Sequence, residues 1–337
     1  MILCCILAAG CARAQSAVVQ MQGKQGPYRI PDGQQLIIYT SHKPEVYLPV
    51  IREFEERTGI YTEIHAGGTQ EMLDKVRENA DYAEVDIMFG GGIESLEAYK
   101  DCFVPCTTPN DSALDPRFVS ATHEWTPFTV LPIVFIYNNK LVPSGQEPRS
   151  WEEFLTDRWK GQIAFADPAR SGTSYTILST MLQLTGQEPE KLFRSFLSAL
   201  DGRLQAGSGD VISDVASGGA LVGITLEEAA RKEIARGVDI SMVYPEEGTS
   251  AVPDGCAVVK NAPHPENAEL FIDFILSPEV QQFAVERLYR RSVRTDIPPL
   301  EAPGDLRIAP FDTERSGREQ ESLLALFDRI LRGEEAG

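Results

Sequence analysis

Positive charge is scarce in this chain. Lysine and arginine number 31 against 50 acidic residues, for a formal net charge of −19. That balance excludes DNA, RNA and anionic lipid as partners, because a phosphate backbone needs a basic surface. A small anionic ligand stays open, since exposed charges are screened over about 8–10 Å and dipoles in a cleft can outweigh a distant acidic surface. Histidine is rarer still, with four residues and no His-rich metal motif. Cysteine numbers six, and Cys4, Cys5 and Cys11 all fall at the start. Of the others, Cys102 and Cys106 flank Phe-Val-Pro and either bridge or stay reduced, and Cys256 stands alone. No apolar run reaches the roughly 20 residues that a membrane-spanning helix needs. No G-x-S-x-G elbow or P-loop is present, so an enzyme is not expected and a secreted hydrolase is the weakest reading.

What is present begins with an export signal. Residues 1–10 (M-I-L-C-C-I-L-A-A-G) carry no charge and resemble the apolar part of a signal peptide. No basic residue precedes them, which points to a start codon further upstream. Two processing routes compete within residues 1–14. Ala8-Ala9-Gly10-Cys11 resembles a lipobox, which would lipidate Cys11; Ala12-Arg13-Ala14 fits ordinary cleavage after Ala14. The polar stretch 15–34 would serve as a tether and favours the lipoprotein. Both routes place the mature protein outside the cytoplasmic membrane, in contact with lipid through an anchor on Cys11 alone.

At 337 residues the chain exceeds one comfortable core, so two lobes are expected. Residues 36–41 (L-I-I-Y-T-S), 61–66 and 85–89 read as buried strands, each followed by a small or hydroxylated turn and then an apolar-periodic helix. That alternation predicts an α/β fold with a largely parallel sheet, in which ligands gather where strand ends meet helix starts. The turns carrying Thr40, Ser41 and His42, Gly68 and Thr69, and Gly91 would share one rim. Residues 125–137 form a long apolar extended run suited to crossing between lobes, and 245–260 a return crossing. Ser150 and Glu153 predict a capping box for a helix between the crossings. A monomer is expected, and no cofactor or metal.

The stretch A-D-P-A-R-S-G-T-S-Y-T, residues 166–176, reads as the end of a strand, a turn and a helix start. Its first turn would combine unsatisfied backbone N–H groups, the hydroxyls of Ser171, Thr173 and Ser174, the open backbone of Gly172 and the positive end of the helix dipole. Such a place binds anions. It is equally the ordinary N-cap of a helix, and both readings stand on the stretch alone.

In order along residues 35–325, L-I-I-Y-T-S-H, D-P-A-R-S-G-T-S-Y-T, G-I-T-L-E-E-A-A, Y-P-E-E-G-T…P-D-G and R-R-S-V-R-T-D-I-P-P-L together resemble the ferric-binding branch of type II periplasmic binding proteins. The resemblance implies a receptor that delivers ligand to the permease subunits of an ABC importer. It implies two α/β lobes with mixed, mostly parallel sheets and two crossover strands as hinge. Lobe 1 would comprise residues 35–130 and 255–308, and lobe 2 residues 131–254 and 309–337. The ferric-ion members hold iron with a His and a Glu from one lobe and two adjacent tyrosines from the other. His42 matches the histidine, but Leu226, Glu227 and Glu228 stand where the tyrosines belong, after G-I-T at Thr225. No adjacent tyrosine pair exists in the chain, and a hard Fe³⁺ ion depends on phenolate oxygens. The branch also includes binders of phosphorylated sugars and aminoethylphosphonate. The expected ligand is therefore a small phosphorylated or phosphonate solute, with ferric iron or an iron chelate as the alternative. Glu227, Glu228 and Glu247 would accept from hydroxyls or an amine of its organic part, with Glu247 and Thr249 at the hinge placed ahead of Glu228.

Overall fold

The computed structural model describes residues 20–23, 26–29, 31–79, 82, 84–298, 300–301 and 306–334. The signal segment 1–14, with Cys11, lies outside the described residues, as does the start of the tether. Within the expected tether, β1 (Gln20–Gly23) and β2 (Gly26–Arg29) pair antiparallel. Then β3 (Gln35–Thr40), α1 (Pro44–Thr58), β4 (Tyr61–Ala66), α2 (Thr69–Asn79), β5 (Ile87–Gly92) and α3 (Ile93–Glu97) follow as strand–helix units. Local chemistry explains their limits. Pro44 opens α1 at a position whose N–H has no helical acceptor, and Gly59 closes it with a left-handed φ of 71°. Val46, Val50, Ile51 and Phe54 form its single buried face.

The chain continues through β6 (Phe103–Val104) into β7 (Thr126–Asn138), the long apolar strand. Next come β8 (Ile163–Ala164), α4 (Gly172–Thr185), α5 (Pro189–Leu200), α6 (Ser208–Ser217), β9 (Val222–Leu226), α7 (Glu227–Ala235) and β10 (Ile240–Val243). The return strand β11 (Ala251–Val259) leads to α8 (Pro265–Ile275), α9 (Pro278–Leu288), β12 (Arg291–Ser292) and α10 (Thr313–Leu331). The main sheet runs β4-β3-β5-β11-β7-β9-β8, with β10 and β12 joining β7 and β6 joining β11. Pairing is parallel where β3 meets β4 and β5 and where β8 meets β9. Both crossing strands pair antiparallel with all their neighbours. Parallel pairing therefore belongs to the strand–helix units, and the seam between lobes is antiparallel.

Each lobe carries an apolar cluster on both faces of its half of the sheet. In the first, Phe54, Phe89, Phe128 and Phe271 pack on one side and Met72, Leu73, Met88 and Trp125 on the other. The second half of β7 shows the two-residue strand period: Ile133 and Phe135 enter the cluster with Trp151 and Phe165, while Val134 and Ile136 enter the cluster with Val211 and Val215. Helix α10 touches both lobes. Its Leu323 and Phe327 enter the second lobe's core, while a carbon added to Gly317 would sit 2.9 Å from the Glu94 carbonyl of α3.

Two local expectations differ from the structure. Ser150 and Glu153 form no capping box: residues Glu152–Leu155 make a 3₁₀ turn, and Glu153 accepts from the Arg149 N–H at 3.2 Å. The Trp151 N–H instead donates to Glu247 at 3.1 Å, a partner too distant in sequence for a local motif to show. Cys102, Cys106 and Cys256 are all free and buried, and burial pushes the Cys106 thiol up to about 11.

Candidate ligand cleft

A cavity of about 350 Å³ opens between the lobes. The first lobe contributes the turn Ser41, His42 and Lys43 after β3, Thr69 at the start of α2, and Gly91 and Gly92 at the end of β5. The second contributes Gly172, Thr173 and Thr176 of α4, Ser208 and Gly209 of α6, and Thr225 at the end of β9. Helices α1, α4 and α6 thus present their N-terminal turns to one space. The N-terminal end of each helix carries partial positive charge, which favours an anion nearby.

Close approach of backbones builds this rim. Gly90, with φ 114°, backs onto the Ser41–His42 turn: a side-chain carbon there would lie 2.7 Å from Ser41 Oγ. Across the cleft, a carbon on Gly172 would meet Thr69 Oγ1 at 3.0 Å, so any larger residue at 172 would press on the start of α2. Ser171 caps α4, its Oγ accepting from the Ser174 N–H at 3.3 Å. Gly172 and Thr173 line the cavity, and their amides, in the first helical turn, have no intrahelical acceptor. Lys43 is exposed at the mouth and reaches the second lobe, its Nζ 3.3 Å from where a carbon on Gly209 would stand.

The buried part of the cavity is ionic. Asp254 Oδ1 accepts from the Thr129 N–H at 2.8 Å and from Thr129 Oγ1 at 2.6 Å, and its other oxygen accepts a short bond from Arg290. Arg290 also lies 3.6 Å from Glu228 of the opposite lobe. His42 Nε2 is 3.4 Å from Asp254 Oδ2, yet no hydrogen bond forms and that nitrogen is unpartnered. Burial, only partly offset by Asp254, pushes His42 down to about 4, so the ring is neutral. Beside the cavity, the Glu94 carboxyl accepts a short bond from Thr176 of the other lobe, and burial pushes it up to about 7. Lys232 pairs with Glu45 at 2.9 Å and Arg291 with Glu227 at 2.8 Å, both between lobes.

Of the residues predicted from sequence, Ser41, His42, Thr69, Gly91, Gly172, Thr173 and Thr225 meet around the cavity. The others lie outside its lining. Thr40 is fully buried, its Oγ1 accepting from the His42 N–H. Gly68 sits behind Thr69, facing the Arg170 carbonyl. Ser171 Oγ is spent on the Ser174 N–H in the cap, and the Ser174 side chain is buried. Glu227 is held by Arg231, Arg291 and the Tyr244 hydroxyl, Glu247 serves the Trp151 N–H, and Thr249 is bonded through its backbone to Arg307. Glu228, ranked behind Glu247 and Thr249 from the sequence, does line the cavity, which adds Lys43, Ser208, Gly209, Asp254 and Arg290. The A-G-S-G-D run ahead of α6 repeats the small-residue helix start of 171–174 and was a usable signal. Asp254 and Arg290 lie in two stretches that carry the family resemblance, P-D-G and R-R-S-V-R, but nothing local places them in the cleft: the return strand β11 brings Asp254 there, and the turn after α9 brings Arg290.

Comparison with known proteins agrees with this architecture. The family described as bacterial extracellular solute-binding protein matches residues 83–303. Iron uptake protein A1 of Synechocystis is 25% identical over 280 residues, spanning 79% of this chain and 77% of that protein. A putative 2-aminoethylphosphonate-binding periplasmic protein of Salmonella typhimurium is 25% identical over 255 residues, 73% of each chain. The periplasmic binding protein AfuA of Actinobacillus pleuropneumoniae, solved with exogenous fructose-6-phosphate bound, superposes with a TM-score of 0.79 at 24% identity, covering 88% of this chain and 98% of that one. That likeness shows the fold, the two-lobe fold of the type II periplasmic binding proteins. With the family match spanning most of the described chain, the protein belongs to the bacterial extracellular solute-binding proteins.

Proposed function

We propose that this protein receives a small phosphorylated or phosphonate solute between its lobes and delivers it to the membrane subunits of an ABC importer. The lobes divide as residues 35–130 with 255–308 and residues 131–254 with 309–337, and β7 and β11 form the hinge. The observation that carries the reading is the cluster of helix starts. Gly172 and Thr173, at the start of α4, line one cavity with Ser41, Lys43 and Thr69. Backbone N–H donors, hydroxyls, dipole ends and a lysine cation are what a phosphoryl group requires. Iron is a poorer match for these donors. Among the described residues no tyrosine lines the cavity, and no group of three or more His, Cys, Asp or Glu side chains is placed to hold a metal ion.

Calorimetric titration of the purified protein with glycerol 3-phosphate, inorganic phosphate and Fe³⁺ tests the reading. A phosphate compound should bind, and Thr173→Asp, which sets a carboxylate at the helix start, should abolish that binding. Unchanged affinity in Thr173→Asp, or a tyrosinate-to-iron charge-transfer band on adding Fe³⁺, would overturn it.

A further inference from the structure

One carboxyl behind the cavity wall is arranged to stay neutral. Glu94 lies in the first turn of α3 and is fully buried. Its carboxyl packs against Gly92, where an added carbon would lie 2.6 Å from Cδ, and against the Thr176 hydroxyl. Both residues line the cavity. The second oxygen, Oε2, is buried without a partner, so an ionised Glu94 would hold a bare charge in the interior. Thr176 has one proton to give. Its Oγ1 also lies 3.0 Å from the Gly172 carbonyl, so it serves an ionised Glu94 only by leaving Gly172. A protonated Glu94 donates across the same contact and lets Thr176 serve Gly172, the residue that opens α4 at the cavity. Burial accordingly pushes Glu94 up to about 7.

We propose that ligand binding fixes a proton on Glu94, so that a phosphate dianion enters the cleft together with one proton from solvent. The inference rests on the phosphate reading above and adds how pH governs that site. An anion beside Gly172 and Gly92 places like charge against the wall that Glu94 backs, and like charge disfavours the ionised form. The groups around Glu94 hold no cation free to cancel this. On α3, Glu97 is tied to Trp125 and Lys100. On α10, Glu319 pairs with Arg315 at 3.0 Å. On α4, Tyr175 is a phenol that burial raises. On α2, Asp74 serves the Tyr99 hydroxyl and Glu71 pairs with Lys75. On β11, Asp254, opposite Gly92, is held by Arg290. Lys43 and Lys232 stand on the far side of the cavity wall, and Lys232 pairs with Glu45. Affinity for the dianion is therefore highest below pH 7, where Glu94 is already protonated. It falls as pH rises above 7, where binding must first recover the proton.

Calorimetry of the full chain with glycerol 3-phosphate between pH 7 and 9 tests the coupling. In that window the phosphate stays dianionic, its second pKa being about 6, while His42 at about 4 and Cys106 at about 11 keep their charge. Affinity should fall at least about fivefold from the lower pH to the higher. At pH 7.5, heats measured in Tris and in HEPES should differ by the uptake of about half a proton or more per ligand. Glu94→Gln keeps the shape of the neutral side chain and can donate to Thr176. It should bind with no fall across the window and with heats that do not depend on the buffer. The proton count uses the parent protein alone, so it decides the matter even if the variant does not fold. A flat or rising affinity, buffer-independent heats in the parent, or a Glu94→Gln variant that keeps the parent's fall would overturn the proton coupling and leave the phosphate reading intact. Failure of both glycerol 3-phosphate and inorganic phosphate to bind at any pH would remove both.

Discussion

At the scale of single residues, two buried titratable groups beside the cleft pull stability in opposite directions. Burial raises Glu94 from 4.5 to about 7. Its contribution is fully present below pH 4.5 and is lost as pH rises toward 7, because the unfolded chain ionises where the folded chain does not. Burial lowers His42 from 6.5 to about 4. The unfolded ring therefore takes up a proton that the folded one refuses, and stability falls as pH drops from 6.5 toward 4. Each slope is about 1.4 kcal/mol per pH unit, and between pH 4.5 and 6.5 they cancel. Glu94→Gln removes one slope. Denaturant unfolding of that variant should show stability rising with pH across this window by up to roughly 3 kcal/mol, whereas these two groups leave the parent flat. A variant as flat as the parent would mean that Glu94 does not titrate as its burial requires. Gly172 acts by shape. In Gly172→Val the new side chain meets Thr69 across the cleft, so glycerol 3-phosphate affinity should fall about tenfold, a cost of roughly 1.4 kcal/mol in closure. Calorimetry showing unchanged affinity would mean that the two helix starts need not touch.

At the scale of elements, the start of α4 holds two roles that substitution can separate. Ser171 caps the helix through its side chain, so Ser171→Ala should cost about 1 kcal/mol of stability in denaturant titration. Ser171→Asp keeps a capping oxygen and should keep that stability, but its charge should still repel a phosphate. Loss of stability in the Asp variant would contradict the capping role. This element was legible in the sequence because its signals are local: a short strand, Asp-Pro, a hydroxyl and an apolar periodic run lie within a few residues. Both crossing strands were legible for the same reason. The antiparallel seam was not, since β7 and β11 meet across more than a hundred residues of intervening chain. Glu227 and Glu247 show the same limit from the other side. Nothing near them in sequence reveals that Arg291 and the Trp151 N–H occupy their carboxylates, so both looked free to meet a ligand. His42 could be located from its strand end, but its missing partner depends on Asp254, on a distant strand.

At the scale of the whole molecule, the two lobes are joined across the cleft by ion pairs of unequal weight. Glu45 and Lys232 bridge the mouth at 2.9 Å, with side chains 46% and 22% exposed. Such a pair is worth about 0.2–1 kcal/mol and weakens with salt. Glu227, 1% exposed, is held by Arg291 from the other lobe, by Arg231 and by Tyr244. Removing Arg291 would strand a buried carboxylate and harm folding, which makes it a poor probe of closure. Lys232→Met is the better one. If the mouth pair forms only when the lobes close, its energy belongs to the closed state, and a ligand that selects that state inherits it. Without ligand, then, Lys232→Met should leave the melting temperature nearly unchanged. Its affinity for glycerol 3-phosphate should fall by up to about fivefold at low salt, the equivalent of the pair's energy. Raising ionic strength should shrink that difference, and a Glu45→Gln, Lys232→Met double variant should lose no more than either single one. A salt-independent loss, or losses that simply add, would show that Lys232 meets the ligand itself rather than holding the mouth shut.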